Sequence, residues 1–235
     1  LCIMNFSNII LNWYAINGRE LPWRQTTDPY AIWLSEVIMQ QTKIAQGTAY
    51  WERFIKRWPN VQSLANATED EVLREWQGLG YYSRARNLHK AAQQIVDLGH
   101  FPQTYNELIQ LKGVGEYIAA AVYSIAFAGP VAVVDGNVYR VLARFFGIEI
   151  PIDSTQGKKI FKAIAQDNLP KNAPAAYNQG IMDFGAMQCT PTLPNCKVCP
   201  LIEYCFAANN NKVSSLPIKT KKTKQRERHF SYIYI

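Results

Sequence analysis

Two carboxylates sit in unusually apolar surroundings. Glu36 is the one charge in the run IWLSEVIM, residues 32–39, and a carboxyl desolvated there has its pKa raised and carries a proton near neutral pH. A solvated helix face with a single charge is the alternative. Asp135 follows residues 117–134, which contain no charge, and precedes Gly136 and Asn137 as a helix N-cap would. Capping is compatible with chemistry, because a carboxylate that accepts backbone N–H bonds keeps a low pKa and stays an anion. One raised and one depressed carboxylate are the pair that cleaves a glycosidic bond. The first protonates the leaving group and the second stabilises an oxocarbenium-like transition state.

Sulfur supplies a second constellation. Cys189, Cys196, Cys199 and Cys205 have the spacing C-x6-C-x2-C-x5-C, close enough to converge on zinc or on a [4Fe–4S] cluster. Zinc ribbons usually bring two C-x2-C knuckles from separate hairpins, whereas all four cysteines here come from one compact loop, so ligand geometry favours iron–sulfur. Lys197 lies inside the tight C-x2-C step, where a bound cluster would fix it as a phosphate contact.

The third feature is the turn GVG at 113–115, between Leu111-Lys112 and an apolar helix starting near Glu116. Without Cβ atoms, Gly113 and Gly115 can take φ > 0 and let a phosphate approach the backbone. The helix that follows offers its free N–H groups and the positive end of its dipole. An ordinary helix–helix connection is the alternative reading of this turn.

The elements that must position these groups are helical. Phe6, Ile9, Ile10, Trp13 and Tyr14 have helical spacing, with Gly18 as a stop. Residues 31–58 read as helical throughout, hinged near Gly47. Thr68 with Glu71, and Thr104 with Glu107, have capping-box spacing. Further helices are expected over 83–98, 135–147, 155–168 and 173–187, and no alternating strand pattern occurs before residue 229. The fold class is therefore all-α, many short helices with short polar joints. Residues 230–235 have the content of a strand, and 208–235 read as a basic linker running into the start of a further domain.

Composition sets the outer limits. The chain has 235 residues, 48% of them apolar, and a net charge of +7. Six basic residues between 219 and 228 against Glu227 carry five of those charges. Contact with an anionic partner in the body must then be local and largely backbone-mediated. The uncharged stretch 117–134 is cut by Gly129-Pro130 into a buried helix rather than a membrane span. No secretory signal is visible, so the expected location is cytoplasmic, nucleoid-associated in a bacterium.

Taken together, GVG, VDGNV, the Glu36 helix and the cysteine loop resemble the helix-hairpin-helix DNA glycosylases, and more narrowly the MutY-type adenine DNA glycosylases. The resemblance covers residues 5–225, through LPWR, WLSEVIMQQT, GLGYYSRARNLHKAA, LKGVG and VDGNVYRVLARF. It implies a six-helix lobe over 23–130 and an iron–sulfur lobe from 1–22 and 131–207, with DNA across the cleft between them. The implied partner is double-stranded DNA with an A·8-oxoguanine or A·G mispair, bound by a monomer, and the implied cofactor is [4Fe–4S]. Glu36 and Asp135 would be catalytic, with Tyr117 and Asn137 beside them and Arg19, Trp23 and Gln179 around the adenine. Gln41, Thr42, Leu79 and Tyr81 would enter the duplex.

One departure separates relatives. Endonuclease III-like members carry a lysine nucleophile two residues after the last hairpin glycine, where this chain has Tyr117. The resemblance therefore implies a monofunctional enzyme. The alternatives are an endonuclease III-like glycosylase/lyase for oxidised pyrimidines and a non-catalytic iron–sulfur DNA-binding protein.

Overall fold

The computed structural model describes residues 2–220. The strand expected at 230–235 lies outside the described residues. Twelve α-helices are found among them, besides four short 3-10 or π segments: α1 (Cys2–Asn17), α2 (Pro29–Ile38), α3 (Ile44–Arg57), α4 (Val61–Ala65), α5 (Glu69–Trp76), α6 (Tyr82–Leu98), α7 (Tyr105–Leu108), α8 (Glu116–Phe127), α9 (Gly136–Phe146), α10 (Thr155–Asp167), α11 (Pro174–Asp183) and α12 (Phe206–Asn209). The all-α reading holds.

The predicted caps form as written. Thr68 accepts from the Glu71 N–H while Glu71 returns to the Thr68 N–H, and Thr104 and Glu107 do the same at α7. Each closes two otherwise orphaned N–H groups at the start of a short helix. Gly147 ends α9 at φ 69°, where a Cβ would be strained.

Two hydrophobic cores result. The first gathers Trp33, Leu34, Phe54, Leu64, Trp76, Leu88 and Leu108 from α2 to α7; the second gathers Phe6, Ile10, Val138, Leu142, Phe161, Tyr177 and Ile181. Helix α8 is the wall between them. Its residues are apolar nearly all round, which suits a helix buried on more than one face. Ile118, Ala119 and Val122 belong to the first core, Ala120 and Ala121 to the second. Helix α1 packs on α11, so the beginning of the chain completes the second core.

The hinge expected near Gly47 falls elsewhere. Residues 39–43 break the run, with Gln41 at φ 57°, and Gly47 lies inside α3. Its reason is space rather than flexibility: a Cβ there would stand 2.5 Å from the Met39 sulfur.

Candidate active site

Three helices deliver the site. Glu36 is on the last turns of α2, Tyr117 on the first turn of α8, and Asp135 caps α9. All three side chains line one cleft of about 590 Å³, and Gln41 and Tyr81 line it with them. The N-termini of α8 and α9 thus reach the same cleft, which favours negative charge there.

Tyr117 donates its hydroxyl to Glu36 Oε2 over 2.8 Å. Burial pushes the Glu36 carboxyl up, and the nearby charge of Asp135 adds to it, while the Tyr117 bond and Arg24 pull the other way. Burial thus favours the protonated form of Glu36, the direction its apolar sequence context predicts.

Asp135 corrects the sequence reading. Its Oδ1 accepts from the Val138 N–H and its Oδ2 from Asn137 Nδ2, both over 2.8 Å. Burial nevertheless outweighs these bonds and raises its pKa rather than lowering it. The charge of Asp135 adds to the rise at Glu36, behind the effect of burial. Asp135 accepts from two donors and Glu36 from one, so hydrogen bonding favours the anion more at Asp135 than at Glu36. A buried carboxylate that is held below its ordinary range is Asp183. Burial opposes its charge, but hydrogen bonds from Arg24 and Arg19 prevail.

Asn137 joins the site to the cysteine loop. Its Oδ1 accepts from Arg140 Nη2 over 2.9 Å, and Arg140 also donates to the Cys189 carbonyl over 2.7 Å and the Gly185 carbonyl over 2.6 Å. Cys189, Cys196, Cys199 and Cys205 line a common cavity of about 30 Å³. Burial, with the charges of the other three thiols behind it, pushes Cys199 up to about 11. Among the described residues no three His, Cys, Asp or Glu side chains are grouped to hold a single metal ion. Lys197 is exposed in the short turn Cys196–Val198.

Other expected residues lie differently. Arg19 and Arg24 both clamp Asp183, Trp23 packs edge-on against Trp51 in the first core, and Gln179 accepts from the Tyr14 hydroxyl over 2.7 Å. None of Arg19, Trp23 and Gln179 is among the residues that line the cleft. Leu79, expected to wedge into a duplex, is buried in the first core. Gln41 and Tyr81 are exposed in left-handed backbone, at φ 57° and 46°, and Thr42 follows at the same bend. In the hairpin only Gly113 takes a positive φ, 78°; Gly115 is extended with open space where a Cβ would stand.

Arg84 escaped the sequence reading. Its guanidinium donates to the carbonyls of Val37, Ile38 and Gln40 at the end of α2 and of Leu79 before α6. It also stacks over the rings of Trp76 and Tyr81. One side chain thus ties the Glu36 helix to the Tyr81 turn. No local signal marks it, because its partners lie up to 47 residues away.

The family described as HhH-GPD superfamily base excision DNA repair protein matches residues 34–169, more than half of the chain. The chain belongs to this family. An adenine DNA glycosylase of Buchnera aphidicola from Schizaphis graminum is 38% identical over 94% of this chain and 65% of its own length. The adenine DNA glycosylase of Homo sapiens is 41% identical over 86% of this chain and 39% of its own. The chain thus spans less than two thirds of the curated relatives it matches. Among solved structures, a thermostable thymine-DNA glycosylase superposes with TM-score 0.82 at 27% identity, covering 88% of this chain and 96% of that one. A non-covalent endonuclease III–DNA complex gives 0.75 at 23% identity over 89% and 96%, a likeness of fold. Among the described residues no helix is long and apolar enough to cross a membrane.

Proposed function

We propose that this family member is a monofunctional adenine DNA N-glycosylase that excises adenine mispaired with 8-oxoguanine or guanine in double-stranded DNA. The observation that carries the reading is the hydrogen bond from Tyr117 to Glu36. A phenol occupies the place where a lyase would need an amine, and it touches the carboxyl suited to protonate a leaving base. The similarity to adenine DNA glycosylases over nearly the whole chain supports adenine as that base.

Adenine extruded from the stack would enter the cleft, at a cost of a few kcal/mol that is smallest at a mismatch. Glu36 delivers its proton to N7, the C1′–N9 bond breaks and adenine leaves with that proton; Asp135 stabilises the sugar cation until water adds at C1′ and gives up a proton to the Glu36 carboxylate. Asn137 holds Asp135 in place. Gln41 and Tyr81, exposed beside the cleft, fit a role against the opposite strand, and the open backbone at Gly115 fits a phosphate. In this reading the protein works as a monomer in the cytoplasm, nucleoid-associated in a bacterium.

Four cysteines that line one small cavity and come from one compact loop suit a [4Fe–4S] cluster better than zinc. Bound there, it supplies iron–thiolate bonds that hold the loop together; Arg140 and Arg144 hold the same loop from α9. The test of function is single-turnover excision from A·8-oxoguanine, A·G and A·T duplexes with Glu36→Gln alongside. The wild type should excise from the first two, and the variant should bind without excising. An efficient strand-cutting step with a borohydride-trapped adduct would overturn the monofunctional assignment.

A further inference from the structure

A second cavity, of about 360 Å³, shares Tyr117 with the cleft. Its walls carry Lys158, Lys159 and Lys162 from one stretch of α10, the rings of Tyr105 and Tyr139, and Glu116. The three lysines are exposed. Lys162 pairs with Glu116 over 3.3 Å, but more than half of each side chain meets solvent, so the pair is weak and readily exchanged. Among the described residues, Lys158 and Lys159 have no ion-pair partner.

Three cations against one anion make this a concentrated positive site in a body whose net charge, outside the basic run at 219–228, is small. A cavity of that charge, with three tyrosines among its walls, suits an oxyanion rather than a cation or an apolar ligand. It also adjoins the hairpin. Helix α8 begins at Glu116 with no side-chain cap on Gly115, which leaves first-turn N–H groups for an anion beside the lysines.

We propose that this cavity is a phosphate-binding subsite, which takes the DNA backbone next to the phosphate held at the 113–115 turn. The inference rests on the glycosylase reading above. Lys158 and Lys159 meet the phosphate as point charges, and Glu116 holds Lys162 until a phosphate competes for it. Glu116 therefore acts against binding, which gives the inference a sign that a general basic surface lacks.

The experiment measures duplex affinity against salt for the wild type, Lys158→Ala/Lys159→Ala and Glu116→Gln, with excision at saturating DNA and thermal melting in parallel. Each lost phosphate contact lowers the steepness of log K against log salt by about 0.9, so the double variant should lose up to about 1.8. Its melting and its saturated excision rate should stay unchanged, and Glu116→Gln should bind more tightly at low salt. An unchanged slope in the double variant, with the wild type excising adenine normally, overturns the inference and leaves the glycosylase reading standing. A wild type that excises nothing overturns the reading instead, and the slopes still decide whether the lysines meet DNA. Orthophosphate that raises the melting temperature of the wild type but not of the double variant, with equal slopes on DNA, would assign the site to free phosphate and sink the proposal.

Discussion

The Tyr117 hydroxyl lies between two partners, 2.8 Å from Glu36 Oε2 and 3.4 Å from the Met182 sulfur. It therefore ties α2 of the first core to α11 of the second across the shared wall α8. The bond favours the ionised form of Glu36 and partly offsets the effect of burial.

Replacing Tyr117 with Phe should raise the Glu36 pKa further. A hydrogen bond to a charged group contributes about 1.5–3 kcal/mol, and one pKa unit corresponds to about 1.4 kcal/mol. The alkaline limb of the single-turnover pH–rate profile should move upward by about one unit or more. A downward movement would remove Glu36 as the proton donor.

Glu36→Gln should lose excision by a factor of about 10²–10⁴, the usual worth of a general acid. The same substitution should stabilise the fold at neutral pH. A carboxyl whose folded pKa lies above its unfolded value, near 4.3, contributes fully below that value and loses stability as pH rises through the folded pKa. The variant should then melt at a higher temperature than the wild type at pH 7, with the gap closing towards pH 4. A gap that widens on acidification would contradict the raised Glu36 pKa.

Arg84→Met removes a donor to four carbonyls at two chain breaks, of which, among the described residues, only that of Gln40 has a further side-chain donor, Thr42. Leaving such groups unpaired costs about 1–3 kcal/mol each when they are buried. Denaturant unfolding should show a loss of at least about 2 kcal/mol. Duplex distortion, read with a fluorescent base opposite the lesion, should fall more than the loss of folded protein accounts for, because the Tyr81 turn loses its tie.

Gly185→Ala should reach the chemistry indirectly. A Cβ there would stand 2.7 Å from the Asn137 Cβ and 3.0 Å from its carbonyl oxygen, so Asn137 must shift and Asp135 with it. Misplacement of about 1 Å costs up to about 10²-fold in rate. Excision should drop while duplex affinity holds; equal losses in both would point to a folding defect.

Purified protein should contain iron and sulfide, and Cys199→Ser should reduce both. One equivalent of zinc without iron would reverse the cofactor assignment.

Local chemistry was readable where its partners were close in sequence. Thr68 and Glu71 are three residues apart, as are Asp135 and Val138, and both caps formed as expected. The sign of the Asp135 pKa was not readable, because the cap is written in the sequence and the burial that outweighs it is not. Gly47 resembles a breaker, yet it answers a Met39 side chain that only the fold brings near. Arg19 belongs to a clamp on Asp183, 164 residues away, and Arg84 bridges segments that no local pattern connects. The cysteine spacing, all within one loop, does place the four residues along one small cavity.

The packing of α1 on α11 orders events during synthesis. The first helix leaves the ribosome early, but its partner Pro174–Asp183 follows more than 150 residues later. The first core, whose residues end at Val122, can consolidate while α1 is still waiting. Asp183 then emerges and receives Arg19 and Arg24, both made long before. Arg19 and Arg24 thus wait for their carboxylate until the late helix α11 docks, and the cleft between the two cores closes only then.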